Sequence, residues 1–174
     1  VENACGQSLY STISAFQTGK YGCGYSFNST DVPVAISASD IDTVTSTLVI
    51  AEDRTIADVE LRVQINHSWV GDLLARLISP TGVSAQLFDQ PGFPFTSSGC
   101  NGDSLSIHFD DEATLTAVQL ENTCGNLPAI SGSYQPLQLL SRYDNASSQG
   151  TWKLEVTDNF PEDGGAITGW SLSF

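Results

Sequence analysis

The stretch Ile56–Ile78, IADVELRVQINHSWVGDLLARLI, limits the possible folds of this chain more than any other. Val59, Leu61, Val63 and Ile65 recur at every second position, with Glu60, Arg62 and Gln64 between them. That is the period of a strand buried on one face, and a helix does not alternate so strictly. Leu73–Ile78 is a shorter, more continuously apolar run. It ends in Ser79-Pro80-Thr81-Gly82, a hairpin corner in which proline fixes φ and glycine permits a left-handed turn. Two strands are therefore expected, hinged at Asn66–Asp72, a connection holding an imidazole, an aromatic ring, a glycine and a carboxylate. Polar turn residues usually serve the backbone. The expectation is that Trp69 plugs the end of the core, His67 is hydrogen-bonded, and Asp72 accepts N–H groups of the turn.

The remaining segments read mostly as strands. FNSTDVPVAI at Phe27–Ile36 is an entry strand, placed at an edge by Pro33, and Thr43–Ala51 is rich in β-branched residues. Val83–Phe88 follows the Pro80 corner, and Leu105, Ile107 and Phe109 alternate along another strand. Trp152, Leu154 and Val156 alternate before DNFPEDGG at Asp158–Gly165 turns the chain back to Ile167, Trp170, Leu172 and Phe174, which reads as a hairpin with two tryptophans. Asp89–Asp103 has the composition of a long loop, Asn122–Tyr134 is irregular, and a short helix is expected at Ser8–Phe16. Short strands punctuated by turns predict an all-β fold, a two-sheet antiparallel β-sandwich resembling a jelly roll.

At 174 residues the chain fits one domain with a small extension. Lys and Arg number 6 against 20 Asp and Glu, a formal charge of −14. This balance opposes binding to nucleic-acid phosphates and to anionic membranes, and no run approaches the ~18 apolar residues of a membrane helix. The chain starts at Val1, lacks methionine and shows no leader pattern, so it reads as a processed or excised piece. Cys5, Cys23, Cys100 and Cys124 are even in number and form no CxxC pair, which fits two disulfides in a secreted, extracellular protein. The expected pairing is Cys5 with Cys23 and Cys100 with Cys124, each pair lying within one irregular segment; the other two connectivities stay open. Sequons at Asn28, Asn66 and Asn145 decide nothing.

Catalysis fails on inventory. A serine triad needs a histidine oriented by a carboxylate beside a nucleophile. Only His67 and His108 are present, and no GxSxG elbow accompanies them. Asp72, His67 and Ser68 make a triad only on paper, because neighbours on a turn do not usually point at one another. Paired carboxylates for glycoside hydrolysis are uninformative in a chain with 20 acids. The acids suggest a cation instead. Asp103, Asp110 and Asp111, with Asp72 or Glu112 as a further ligand, are the candidate Ca²⁺ ligands, since hard cations want six to eight oxygens. Adjacent Asp110 and Asp111 require a bulge or a strand end to face one ion. Asp158, Glu162 and Asp163 form a weaker candidate cluster.

Four blocks carry a family resemblance: INHSWVGDLLARLISPTG at Ile65–Gly82, GDSLSIHFDDEA at Gly102–Ala113, ISGSYQPLQLLSRY at Ile130–Tyr143, and GTWKLEVTDNFPEDGGAITGWSLSF at Gly150–Phe174. In this order they resemble the P domain, or Homo B domain, that follows the subtilisin-like catalytic domain of kexin- and furin-like proprotein convertases. The bacterial secreted-protease branch is the nearer likeness. The resemblance covers residues 30–174 and leaves 1–29 as an N-terminal extension. It implies a non-catalytic β-sandwich that stabilises or guides the folding and substrate access of a serine or metallo-peptidase domain on the same chain. The alternative is a stand-alone module that binds carbohydrate or insoluble protein. An exposed row among Trp69, Phe93, Phe95 and Tyr134 would favour that alternative, and buried tryptophans would favour the first reading.

Overall fold

The computed structural model describes residues 24–93 and 96–174, together with the backbone of a small ladder pairing β1 (Glu2–Asn3) with β2 (Gly6–Gln7). The helix expected at Ser8–Phe16 and the Cys5–Cys23 pairing lie outside the described residues. The strands then run β3 (Ser26–Asn28), β4 (Val34–Ile36), β5 (Asp42–Ile50), β6 (Glu60–His67), β7 (Leu73–Ile78), β8 (Ser84–Asp89) and β9 (Leu105–Phe109). A short helix α1 (Ala117–Glu121) precedes β10 (Ile130–Tyr134), β11 (Gly150–Asp158) and β12 (Gly165–Ser173).

Two sheets face each other. One has the order β10-β9-β6-β12, with β3 and β4 sharing the outer edge of β12; the other has the order β5-β11-β7-β8. All ladders in these two sheets are antiparallel except β9 with β10. Alternation sets the packing: Leu61, Val63 and Ile65 of β6 are buried, as are Leu154 and Val156 of β11 and Leu73, Ala75 and Leu77 of β7. The two inner faces close into one hydrophobic core.

The tryptophans are built into that core. Trp152 is fully buried, donates its Nε1–H to Ser148 O at 2.9 Å, and meets Tyr143 edge-on at 5.1 Å. Tyr143 in turn donates its hydroxyl to Leu77 O at 2.7 Å. Trp170 donates Nε1–H to Ser46 Oγ at 2.6 Å, and Ser46 donates to Asp31. Burial works against the Asp31 charge, but donation from Ser46 Oγ and from Thr47 N and Oγ1 prevails and holds its carboxyl below the usual range.

Four sequence readings change. The two halves of Ile56–Ile78 enter different sheets, so Asn66–Asp72 is an arch across the core edge. The terminal pair is likewise no hairpin: β11 pairs with β5 and β7, and β12 with β6, β3 and β4. Both β6 and β11 are buried on one face, and alternation cannot tell a strand's partner from its opposite number. The irregular segment 122–134 ends in a strand, β10, parallel to β9, and α1 lies in the crossover between them. Parallel neighbours need such a crossover. The entry segment at Phe27–Ile36 is also broken into β3 and β4, with Pro33 between them. The Pro80 corner is the expected hairpin, pairing β7 with β8.

Candidate functional site

The arch Asn66–Asp72 and the β11–β12 connection meet at one end of the sandwich. His67, the last residue of β6, is buried, and its Nε2 lies 3.1 Å from the carboxylate of Asp158, the last residue of β11. Its Nδ1 lies 2.9 Å from Trp69 O and 3.1 Å from Trp69 N. Asp158 also accepts the Phe160 N–H, so both its oxygens are engaged. Ser68 donates its hydroxyl to Asp163 at 2.8 Å, and Ser68 N donates to Gly164 O. Both ring nitrogens of His67 and the Ser68 hydroxyl are thus committed elsewhere, and the paper triad does not form.

A second loop braces the arch from below. Cys100 and Cys124 form a disulfide with a Cα separation of 5.5 Å, in agreement with the expected pairing. Gly71 N donates to Cys100 O at 2.9 Å and Val70 N to Gly102 O at 3.1 Å. Gly71 packs so closely here that a Cβ would strike the Cys100 amide nitrogen. Trp69 is half-buried and donates Nε1–H to Ser98 O at 2.7 Å. It caps the end of the core, as the sequence suggests.

Asp72 departs from its expected role. Its carbonyl accepts the backbone and side-chain N–H groups of Asn159, each at 3.0 Å, but its carboxylate accepts no hydrogen bond among the described residues. The residue is 6 % exposed. Burial, reinforced by the charges of Asp158 and Asp163 and opposed by His67, pushes its carboxyl up to about 6. It lines a cavity of about 300 Å³ with Trp69, Phe93, Phe160, Glu162 and Asp163.

The other candidate ligands lie apart from Asp72 and from one another. Asp103 is exposed before β9 starts, whereas Asp110, Asp111 and Glu112 follow its end. At about 3.3 Å per residue the two groups are about 20 Å apart, far beyond one calcium shell with ~2.4 Å ligand distances. Asp111 spends both oxygens on Leu140 N and Ser141 N at 2.8 Å, holding the 3-10 turn Leu140–Tyr143. Asp110 accepts Glu112 N at 2.8 Å, and its side-chain hydrogen bond to Glu112 raises the Glu112 carboxyl. Among the described residues no three His, Cys, Asp or Glu side chains are gathered closely enough to hold a metal. As placed, the five acids do not fit a calcium shell.

His108 is the other histidine. It bridges Glu60 Oε2 and Ser133 Oγ across three strands, at 3.1 Å each. The arrangement sits on the outer sheet face, where β9 is paired on both sides, with β6 and with β10. Of the four residues proposed as an aromatic row, Tyr134 is buried, Trp69 and Phe93 are half-buried, and Phe95 lies outside the described residues.

The loops of the two-sheet β-sandwich clamp one another at one end through a buried His–Asp pair and a disulfide, an arrangement that many unrelated functions share. The chain belongs to the proprotein convertase P-domain family, whose model matches residues 56–174. In proprotein convertases that domain is non-catalytic. The chain is 31 % identical to an extracellular serine protease of Aeromonas sobria over 75 % of its length, and 29 % identical to a calcium-dependent protease of Nostoc sp. over 79 %. It spans 18 % and 16 % of those proteins, under a fifth of the relatives it matches. Crystal structures of an Aeromonas sobria serine protease, alone and in a complex with a chaperone, overlay 85 % of this chain and 25 % of theirs. Their TM-scores are 0.49, with 24 % and 22 % identity respectively.

Proposed function

We propose that this domain stabilises, and guides the folding of, the peptidase domain of a secreted protease on the same polypeptide. The observation that carries the reading is membership of the P-domain family over residues 56–174. The relatives' description as proteases supports it, as does the burial of Trp152 and Trp170 in the core, where neither can serve as a platform for polysaccharide. The working domain comprises residues 30–174, preceded by an extension of residues 1–29. A module that binds the folded peptidase and not its unfolded chain raises the peptidase's stability by mass action. At an effective concentration a hundredfold above Kd this is worth about 2.7 kcal/mol. The charge of −14 directs the domain towards a neutral or basic surface, with salt-dependent association.

The test is complementation in trans. The peptidase lacking this domain is refolded with and without the 174-residue chain, at low and high salt. Recovery of activity should rise with added chain and fall with salt. Unchanged recovery, with binding of the chain to a polysaccharide or fibrous protein, would replace the accessory role with a targeting role.

A further inference from the structure

The cavity beside Trp69 combines three aromatic rings with three acids. Phe93 and Phe160 stand parallel, their planes 3° apart and centroids 6.3 Å apart, and Phe160 is 45 % exposed at the rim. Trp69 stands beside them, its indole N–H turned to Ser98 O. Asp72, Glu162 and Asp163 supply the acidic lining, and among the described residues no Lys or Arg lines the space. Asp158 and Asp163 are satisfied internally, by His67, Phe160 N and Ser68. Asp72 is different: the residue is 6 % exposed and lines the cavity, and no described residue donates a hydrogen bond to its carboxylate. Buried charges are normally paired, and an isolated one costs folding energy.

We propose that this cavity receives the cationic end of a lysine or arginine side chain from a partner protein. Asp72 supplies the countercharge, and Trp69, Phe93 and Phe160 supply ring faces for the cation and an apolar wall for its stem. A bare metal ion fits less well, because the described residues gather no three ligands and three walls are aromatic. An uncharged apolar side chain would cover the Asp72 carboxylate without giving it a hydrogen-bond donor. Which protein supplies the side chain rests on the accessory reading, in which it is the peptidase domain; the chemical preference of the cavity does not.

The reporter is the Trp69 indole N–H resonance of the 174-residue chain, identified by its loss in Trp69→Phe. The chain is titrated at pH 7.5 with N-acetyl-arginine amide, with the uncharged citrulline analogue, and with calcium chloride alone. A saturable shift is expected with the arginine probe at a Kd of about 1–10 mM, the range of a single side-chain contact. The citrulline probe should bind at least about tenfold more weakly, and Asp72→Asn should weaken the arginine probe by about tenfold. Phe160→Ala, at an exposed rim position, provides a second variant independent of the buried acid and should weaken the arginine probe about threefold. Equal binding of the two probes, full binding by Asp72→Asn, or a Trp69 shift produced by calcium that displaces the arginine probe would each overturn the proposal. Such a failure would leave the accessory reading to be decided by protease stability, which this titration does not measure.

Discussion

Replacing Asp72 with asparagine should make the isolated domain more stable at neutral pH. Asp72 is 6 % exposed and its carboxyl is raised from 3.8 to about 6. A shift of that size corresponds to about 3 kcal/mol as an upper bound, because solvent entering the cavity screens the charge. The sign follows from linkage: a carboxyl raised in the folded state imposes no penalty below 3.8, and imposes all of it once the pH passes about 6. Stability at this residue therefore falls as pH rises between those values. The groups facing Asp72 are Asp158 at the end of β11, Asp163 and Glu162 in the following loop, and His67 at the end of β6. Asparagine removes the charge, but its amide also lacks partners, which returns about 1–2 kcal/mol of the gain. The net gain is therefore at most about 1–2 kcal/mol, a Tm rise of up to about 8 °C at pH 8 for a domain of this size. Thermal melts of both proteins between pH 3.5 and pH 8 measure it. The gain should be gone near pH 3.5, where Asp72 is protonated and only the cost of the unpartnered amide remains, so that the variant is there no more stable than wild type. A Tm for Asp72→Asn equal to or below wild type at pH 8, or a gain unchanged at pH 3.5, would refute the assignment of Asp72 as an uncompensated buried charge.

Other perturbations test other parts of the structure. Cys100→Ser with Cys124→Ser should cost about 3 kcal/mol on the chain-entropy estimate for the closed loop, and mass mapping without reductant should recover the Cys100–Cys124 peptide pair. Gly71→Ala drives a methyl into the Cys100 backbone, so a loss above about 2 kcal/mol in denaturant melts is expected, against a smaller loss of about 1 kcal/mol for Gly82→Ser, where there is open space and only the positive φ is strained. Tyr143→Phe removes the hydroxyl donated to Leu77 O and should cost about 1–2 kcal/mol at unchanged m-value. Excess calcium against chelator should move Tm by less than about 1 °C, since Asp103, Asp110, Asp111, Glu112 and Asp72 share no shell; a rise of several degrees would show that these acids move together.

Alternation made most strands legible. Val59 to Ile65 declared the buried face of β6, and Ser79-Pro80-Thr81-Gly82 declared the β7–β8 corner, because both signals are local. Sheet membership is not local. The residues of β6 and β7, or of β11 and β12, look like hairpin partners in sequence, and only the closed core places them in opposite sheets. The helix α1 escaped the sequence reading although a signal was there: Thr116 and Gln119 form a reciprocal capping box. The site was half legible. The residue types in Asn66–Asp72 marked the arch, and its backbone duties were anticipated for Trp69 and His67. The role of Asp158 as the buried partner of His67 was not, since the two lie 91 residues apart. Asp110 and Asp111 suggested a calcium pair by adjacency, yet Asp111 is consumed by backbone N–H groups of Leu140 and Ser141, which only the tertiary fold brings near.

The accessory role is tested most directly in the parent protease itself, expressed with and without residues 30–174. Yield of folded enzyme and half-life of thermal inactivation are measured on both. Loss of about 2.7 kcal/mol of stabilisation corresponds to a hundredfold change in the folding equilibrium, so the shortened protease should be recovered in much lower yield and inactivate much faster. Equal yield and equal half-life would contradict the account.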